Sequence, residues 1–160
     1  MRFVVDGMLG GLARWLRILG YETEYDAKTN DNNLLERSRL NQAILLTRDE
    51  ELYKRANARN QAVVLVRGEN EMLRLAELAK AIGISLEVDM ASTRCPQCGF
   101  PLHEISKEAA SKNVPANSLK LYDKFWRCTN PECAKTYWKG SHWKKIHQTL
   151  AESRETHLRD

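Results

Sequence analysis

Residues 3–20, FVVDGMLGGLARWLRILG, decide the fold of this 160-residue chain. Residues 3–5 are three consecutive apolar residues, which predict a short buried strand. Leucines then recur every three or four residues, and this spacing predicts one face of a helix over residues 8–19 that ends at Gly20. Asp6 lies between the two elements. It either caps the helix by accepting hydrogen bonds from free backbone N–H groups, or places a carboxylate at the end of a strand for binding.

The alternation of strand and helix continues to residue 88. Further strands are predicted at 23–26, 43–47, 62–66 and 84–88, and further helices at 32–41, 50–60 and 71–82. Strands that are nearly continuous apolar runs, separated by helices of this length, indicate a parallel sheet covered on both faces. The fold class is therefore predicted to be α/β and doubly wound.

Composition changes near residues 89–93, where cysteine first appears and regular periodicity fades. We therefore predict one domain over 1–90 and a second module over 91–160. The first has a net charge of −1 and the second of +5. A basic module suits a polyanion such as nucleic acid, although a basic surface also aids solubility. With no apolar run of membrane-spanning length and no signal peptide, the expectation is a cytoplasmic protein that does not contact membranes.

Acidic residues occur where the predicted strands end. Asp6 and Asp49 follow two of the strands, Asp26 ends another, and Asp31 begins a helix. Because ligands of open parallel sheets bind at the carboxyl ends of strands, these residues are expected to converge on one edge. Each alone is also a common helix cap or loop charge. Clustered carboxylates suit a hard cation such as Mg²⁺, and a metal pair roughly 3.5–4 Å apart can activate water in phosphodiester hydrolysis.

Basic and aromatic residues are the candidates for contact with nucleic acid. Arg14, Arg17 and Arg48 are close in sequence to the acidic residues, although helix-surface arginines are mostly solvated. In the second module, aromatic and basic residues interleave in the manner of surfaces that bind single-stranded nucleic acid, and the candidates there are Trp138, Lys139, Lys144 and Lys145. The alternative is that such aromatic residues pack the module. Trp143 has helical spacing with later apolar residues and is expected to dock a C-terminal helix.

Four cysteines occur in two pairs, Cys95 with Cys98 and Cys128 with Cys133. Four soft ligands in two pairs suit tetrahedral Zn²⁺ with no position open for catalysis, so a structural zinc ribbon with a long loop over about 102–121 is predicted. Disulfides are the alternative, which a cytoplasmic chain disfavours.

The stretches DGMLGGLARWLRILG and LLTRDEEL together resemble the PIN-like ribonuclease domain of the Mut-seven C-terminal type, whose members also end in a zinc ribbon with a YWKGSHW-like segment. The resemblance implies a PIN-like parallel sheet flanked by helices, then a small zinc ribbon and a C-terminal helix. It matches Asp6, Asp31 and Asp49 to the acidic positions that bind metal. The family pattern has a further acidic residue on a middle helix, for which Asp26 is the candidate here.

The predicted function is that of a ribonuclease dependent on Mg²⁺ or Mn²⁺, with structural Zn²⁺ in a ribbon that binds or positions RNA. The alternative is a non-catalytic adaptor that binds RNA or the ribosome, with an acidic edge that has lost its activity. A third hypothesis is a toxin-like nuclease controlled by an antitoxin.

Overall fold

The structure, a computed structural model, describes residues 1–159. The first part contains β1 (Arg2–Val5), a 3-10 turn (Gly7–Leu9), α1 (Gly10–Ile18), β2 (Glu22–Tyr25), α2 (Asp31–Leu40), β3 (Ile44–Thr47), α3 (Glu50–Ala58), β4 (Val63–Leu65) and α4 (Glu71–Ile82). The second contains β5 (Leu102–Ile105), α5 (Lys107–Ala110), α6 (Ala116–Leu121), β6 (Phe125–Cys128), β7 (Thr136–Tyr137) and α7 (Trp143–Arg159).

The first four strands form one parallel sheet in the order β2-β1-β3-β4. Side chains alternate along each strand, so Phe3 and Val5 face one side while Val4 faces the other. On the first side they pack with α1 and α4, and on the second Val4 packs with α2 and α3. The predicted α/β fold with helices on both faces is confirmed.

The strand predicted over 84–88 does not form. Ile84 and Leu86 are buried at alternate positions, as in a strand, but no strand within residues 1–159 pairs with this segment. Side chains bond its backbone instead. The Ser85 N–H donates to Tyr21 Oη at 2.7 Å, and the Leu86 carbonyl accepts from Arg154 Nη1 at 2.8 Å. The alternation of apolar and polar residues at 84–88 therefore reflects burial of an extended segment. The prediction that this segment pairs with the sheet was wrong.

The second part of the chain contains an antiparallel sheet in the order β5-β6-β7. The segment predicted as a loop, 102–121, in fact holds β5 and the two short helices α5 and α6. Its apolar residues Ala110 and Val114 pack against the buried ring of Phe125. This local cluster gives the segment regular structure that its polar composition concealed.

The last helix, α7, packs against α4 rather than against the antiparallel sheet alone. Leu150 joins the core that contains Phe3 and Val5, and Ser153 Oγ donates to the Met72 carbonyl at 3.0 Å. The predicted helical spacing from residue 143 is thus confirmed, while the division of the chain at residue 90 stays a prediction. None of the helices that the structure describes has both the length and the apolar character required to cross a bilayer.

Arg17 connects α1 to the loop that carries the first two cysteines. Its side chain is buried; Nε and Nη2 donate to the Thr23 carbonyl at 3.1 and 3.0 Å. Nη1 donates to the carbonyls of Pro96 and Gln97 at 3.1 and 3.3 Å. Burial lowers the pKa of Arg17, and the nearby thiols of Cys98 and Cys95 act in the opposite direction. One guanidinium therefore binds the edge of the parallel sheet and the cysteine loop together.

Replacing this guanidinium should destabilise the whole chain. We expect Arg17→Met to lower the free energy of unfolding by about 2–3 kcal/mol, because buried carbonyls lose a charged donor. Arg14→Met, an equal change on an exposed arginine one turn earlier, should alter it by less than about 0.5 kcal/mol. Urea unfolding followed by circular dichroism measures both, and equal stability of the two variants would contradict the assignment.

Candidate active site and metal centre

The carboxyl ends of β1 and β3 form the point where the order of strands reverses. The chain passes from β1 to β2 on one side and then returns to place β3 on the other side of β1. In open α/β sheets, ligands bind in the crevice at such a point. Asp6 directly follows β1 and Asp49 lies two residues after β3. The topology therefore brings these two predicted residues to the position where a site is expected.

The hydroxyl of Thr47 links the two aspartates. Thr47 is fully buried, and its Oγ1 donates to Asp6 Oδ2 at 2.7 Å while accepting from the Asp49 N–H at 3.0 Å. The other oxygen of Asp6 accepts from the Gly7 N–H at 2.7 Å. These bonds fix the position of the Asp6 carboxylate relative to the start of α3.

Both aspartates are also helix caps, which is the role that the sequence left open. Asp6 caps the 3-10 turn before α1, and Asp49 Oδ1 accepts from the N–H groups of Glu51 and Leu52 at 2.8 and 3.3 Å. Within residues 1–159, the second oxygen of Asp49 accepts no hydrogen bond. Capping thus orients the Asp49 side chain and leaves one of its oxygens available to a ligand.

Asp31 and Asp26 differ in how far their carboxylates are engaged. Asp31 is the first residue of α2, is half-buried, and makes no hydrogen bond or ion pair within the described part of the chain. Asp26 is exposed and accepts from the Lys28 N–H at 3.0 Å and from Thr29 Oγ1 at 3.3 Å. The bond from the Lys28 N–H is the main cause of a lowered pKa of Asp26. Asp26 therefore stabilises its own turn.

Glu71 is an acidic residue at the start of α4 that the sequence reasoning missed. Its Oε1 accepts from Arg74 Nη1 at 2.9 Å, and its Oε2 is buried without a hydrogen-bond partner in residues 1–159. Glu71 lies against α1 so closely that a Cβ at Gly11 would be 2.6 Å from Oε1. Like Asp31, it is the first residue of a helix that follows a strand, and this position was the available signal.

The carboxylates are less closely grouped than the cysteines. Across residues 1–159, the four cysteines are the one group of three or more acidic, histidine or cysteine side chains whose ligand atoms all lie within 4.8 Å of one another. Asp6, Asp31 and Asp49 share an edge of the sheet without meeting this distance. A cation among them would therefore need other ligands, such as water.

The three arginines predicted near this edge have different surroundings. Arg48 donates from Nη1 to the Gly68 carbonyl, which also accepts from Arg74 Nε at 2.8 Å. Arg14 is exposed on α1 and makes no hydrogen bond or ion pair within the described residues. Arg17, expected to hold phosphate, is instead buried against backbone carbonyls. Its N–H groups already donate to these carbonyls, so we do not include Arg17 among the residues proposed to bind phosphate.

The four cysteine sulfurs lie together between the loop before β5 and the end of β6. Cys98 Sγ is 3.3 Å from Cys128 Sγ, and Cys95 Sγ is 3.8 Å from Cys133 Sγ. A disulfide requires about 2.05 Å, whereas four thiolates around one Zn²⁺ at about 2.3 Å lie roughly 3.8 Å apart. All four cysteines are free thiols, and their arrangement can hold a metal such as zinc.

The thiols perturb one another strongly. The pKa of Cys98 is lowered to about 7. Burial acts to raise it, but hydrogen bonds from the Phe100 N–H and with the neighbouring thiols lower it by more. Burial together with the neighbouring thiols raises the pKa values of Cys128 and Cys133. The Tyr137 hydroxyl lies 3.0 Å from Cys95 Sγ and can orient that sulfur. Four crowded sulfurs cannot all ionise without a cation, and this fits a metal ligand set.

The lysines predicted to contact RNA lie on the surface beside the aromatic residues. Lys139, Lys144 and Lys145 are exposed, and Lys139 Nζ lies 5.3 Å from the centroid of the Trp143 ring. Trp138 is half-buried and its ring packs at 6.4 Å from that of Phe125. Trp138 therefore packs partly against the antiparallel sheet, as the alternative predicted. The ammonium groups of the three lysines remain accessible to a ligand.

Comparisons with known proteins bear on both parts of the chain. A family model described as the Mut7-C RNAse domain matches residues 1–150. Neither the comparison with curated proteins nor that with solved structures gave a match. The matched stretch includes the acidic edge and all four cysteines.

Proposed function

Because the chain belongs to the Mut7-C RNAse domain family, we propose that it is an endoribonuclease that hydrolyses RNA phosphodiesters at the acidic edge of its parallel sheet. The observation that carries the proposal is the pair of aspartates at the strand-order reversal, held together by Thr47. The family description implies RNA as the substrate.

We propose that Asp6, Asp31 and Asp49 bind Mg²⁺ or Mn²⁺. They offer only oxygen ligands, which these hard cations prefer, and two of them retain oxygens that accept no hydrogen bond in residues 1–159. The buried, unpaired Oε2 of Glu71 adds a further carboxylate oxygen beside α1. A cation bound there would lower the pKa of a water and neutralise charge on the phosphate.

The side chains around this edge have separate tasks in the proposed reaction. Thr47 keeps the Asp6 carboxylate in one orientation, and the N-terminus of α3 does the same for Asp49. Arg48 is anchored at Gly68 through Nη1 and has further N–H groups that can bind a phosphate oxygen. Positioning of this kind reduces the reorganisation that the transition state requires.

Removal of one carboxylate should abolish cleavage and preserve the fold. We expect Asp49→Asn to reduce the cleavage rate about 100-fold or more, since a preorganised charge is lost, while the amide oxygen still caps α3. Asp123→Asn is the matched control, because it removes the same charge from an exposed residue in the part of the chain that carries the antiparallel sheet. Rates are measured on single-stranded RNA with Mg²⁺ or Mn²⁺, beside melting temperatures. Full activity of Asp49→Asn would refute this assignment.

We also propose that the four cysteines bind one structural Zn²⁺. All four protein ligands come from the chain, so no position remains open for catalysis. The site would stabilise the antiparallel sheet, since Cys128 ends β6 and the cysteine loop leads into β5.

Zinc content should follow the cysteines. We expect wild-type protein to carry about one zinc per chain and Cys128→Ser to lose it, with a lower melting temperature, because three thiolates hold the ion more weakly than four. Thr129→Ser, a small change at the next residue, should retain zinc. Elemental analysis and thermal melts check both. Wild-type protein that contains no zinc after purification without chelators would overturn the proposal.

RNA affinity is proposed to reside mainly in the basic surface of Lys139, Lys144 and Lys145. Replacing all three by Ala should weaken binding and flatten the dependence of affinity on salt, because each lost phosphate contact lowers the slope by roughly 0.7. The charge-matched control is Lys28, Lys54 and Arg59→Ala, three exposed cations elsewhere. Fluorescence anisotropy across a salt series gives both slopes. Identical slopes for the two triple variants would place the RNA surface elsewhere.

A second candidate function is a non-catalytic adaptor that binds RNA or the ribosome. It is favoured by one observation, the failure of Asp6, Asp31 and Asp49 to group within the distance that the cysteines meet. The two functions differ in outcome: an adaptor binds RNA and leaves it intact with either Mg²⁺ or Mn²⁺.

A further inference from the structure

A cavity of about 180 Å³ lies between α1 and the cysteine-containing part of the chain. Arg14 and Ile18 of α1 form one wall. Trp126 and Trp138 of the antiparallel sheet region form a second, and Trp143 at the start of α7 forms a third. Three of the chain's four tryptophans thus line one cavity. It is distinct from the acidic edge, since it adjoins the later part of α1 rather than its start.

The size and lining of the cavity select a class of ligand. At about 180 Å³ it is smaller than the roughly 300–1,000 Å³ of pockets for drug-sized molecules, so it admits about one planar ring system. Its walls are mostly aromatic and aliphatic, and base–aromatic stacking is the interaction that such walls offer to nucleic acid. The indole N–H of Trp143 donates to the Trp138 carbonyl at 3.2 Å, which fixes the two residues relative to each other.

Charge at the cavity distinguishes a nucleotide from an apolar peptide side chain. Arg14 is exposed and has no hydrogen bond or ion pair in residues 1–159, and no Asp or Glu is among the lining residues that the structure describes. Lys139 lies beside the Trp143 wall, and Lys144 and Lys145 are exposed in the first turn of α7. An aromatic ring flanked by anions, which describes a base with its phosphates, satisfies both the apolar walls and these cations.

We propose that this cavity binds one unstacked base of a single-stranded RNA, with Arg14 contacting an adjacent phosphate. The inference rests on the proposed RNA function and extends it by assigning a base-binding subsite at the junction of the two sheets. The base stacks on the indole of Trp138 or its neighbours, without a requirement for one base identity, because every base has a π-face.

The test compares two strands of equal charge. Full-length, zinc-containing protein is titrated, without added Mg²⁺ or Mn²⁺, with labelled oligouridine roughly ten nucleotides long and with an abasic sugar–phosphate strand of that length. We expect the abasic strand to bind about 5- to 100-fold more weakly, the range that corresponds to loss of base stacking. Intrinsic tryptophan fluorescence should be quenched by oligouridine and little by the abasic strand.

Variants locate the effect in the cavity. Trp138→Leu should remove most of the difference between the two strands, as a double-mutant cycle requires of a direct contact. Phe100→Leu changes an exposed aromatic residue outside the cavity and should preserve the difference. Arg14→Met should flatten the salt dependence by roughly one phosphate contact, whereas Arg59→Met, the same change on an exposed arginine elsewhere, should not. Zinc content and melting temperature verify that each variant folds.

The outcomes separate failure of this inference from failure of the proposed function. If wild-type protein binds both strands equally, the base-binding subsite is refuted while RNA binding stands. If it binds neither strand, the RNA function and the subsite fall together. If Trp138→Leu does not fold, the comparison of strands on wild-type protein and the slope of Arg14→Met still decide the inference.

Discussion

The buried guanidinium of Arg17 determines how the two sheets of this protein meet. It donates to the Thr23 carbonyl of the parallel sheet and to the carbonyls of Pro96 and Gln97 in the cysteine loop. One side chain of α1 thus joins β2 to the cysteine loop, and these bonds set where that loop packs against the helix. The aromatic cavity exists because of this contact, since Arg14 and Ile18 on α1 face the tryptophans that the second sheet carries.

The placement of apolar residues in the sequence was sufficient to predict most of the strands and helices, because burial of nearby residues determines these elements. The three consecutive apolar residues at 3–5 form a strand buried on both faces of the sheet, and the spacing of three and four in α1 follows from burial of one helix face; both are observed. The same reasoning gave a wrong prediction for residues 84–88, which form no strand. Their alternation reflects burial, whereas strand pairing depends on a neighbour that sequence does not reveal, and here Tyr21 and Arg154 supply the hydrogen bonds. Arg17 was misassigned for a related reason: its carbonyl partners are up to 80 residues distant.

The candidate site shows the same division between local and long-range information. Asp6 and Asp49 could be placed at one edge because parallel strands end together, but the bridge through Thr47 joins residues 41 positions apart and required the structure. Glu71 was missed although it begins α4 six residues after β4, just as Asp31 begins α2 six residues after β2. The sequence predicts ligand binding at Asp6 and Asp49 and leaves capping as an alternative or second role. The geometry makes them compatible, because a cap uses one oxygen of Asp49 and leaves the other unbonded.

Helix α1 connects the two proposed sites through a rigid element. Asp6 caps the turn that precedes its first residue, Gly10, and Arg14 at the cavity lies one turn later, about 6 Å along the helix axis. A strand with one base in the cavity would therefore meet the acidic edge at a distance that α1 and Arg17 fix, rather than one set by a flexible linker. In an enzyme built this way, the position of the bound base determines which phosphodiester bond lies at the acidic edge and is cleaved. Selectivity then comes from geometry along the strand, and no base-specific hydrogen bonds are needed.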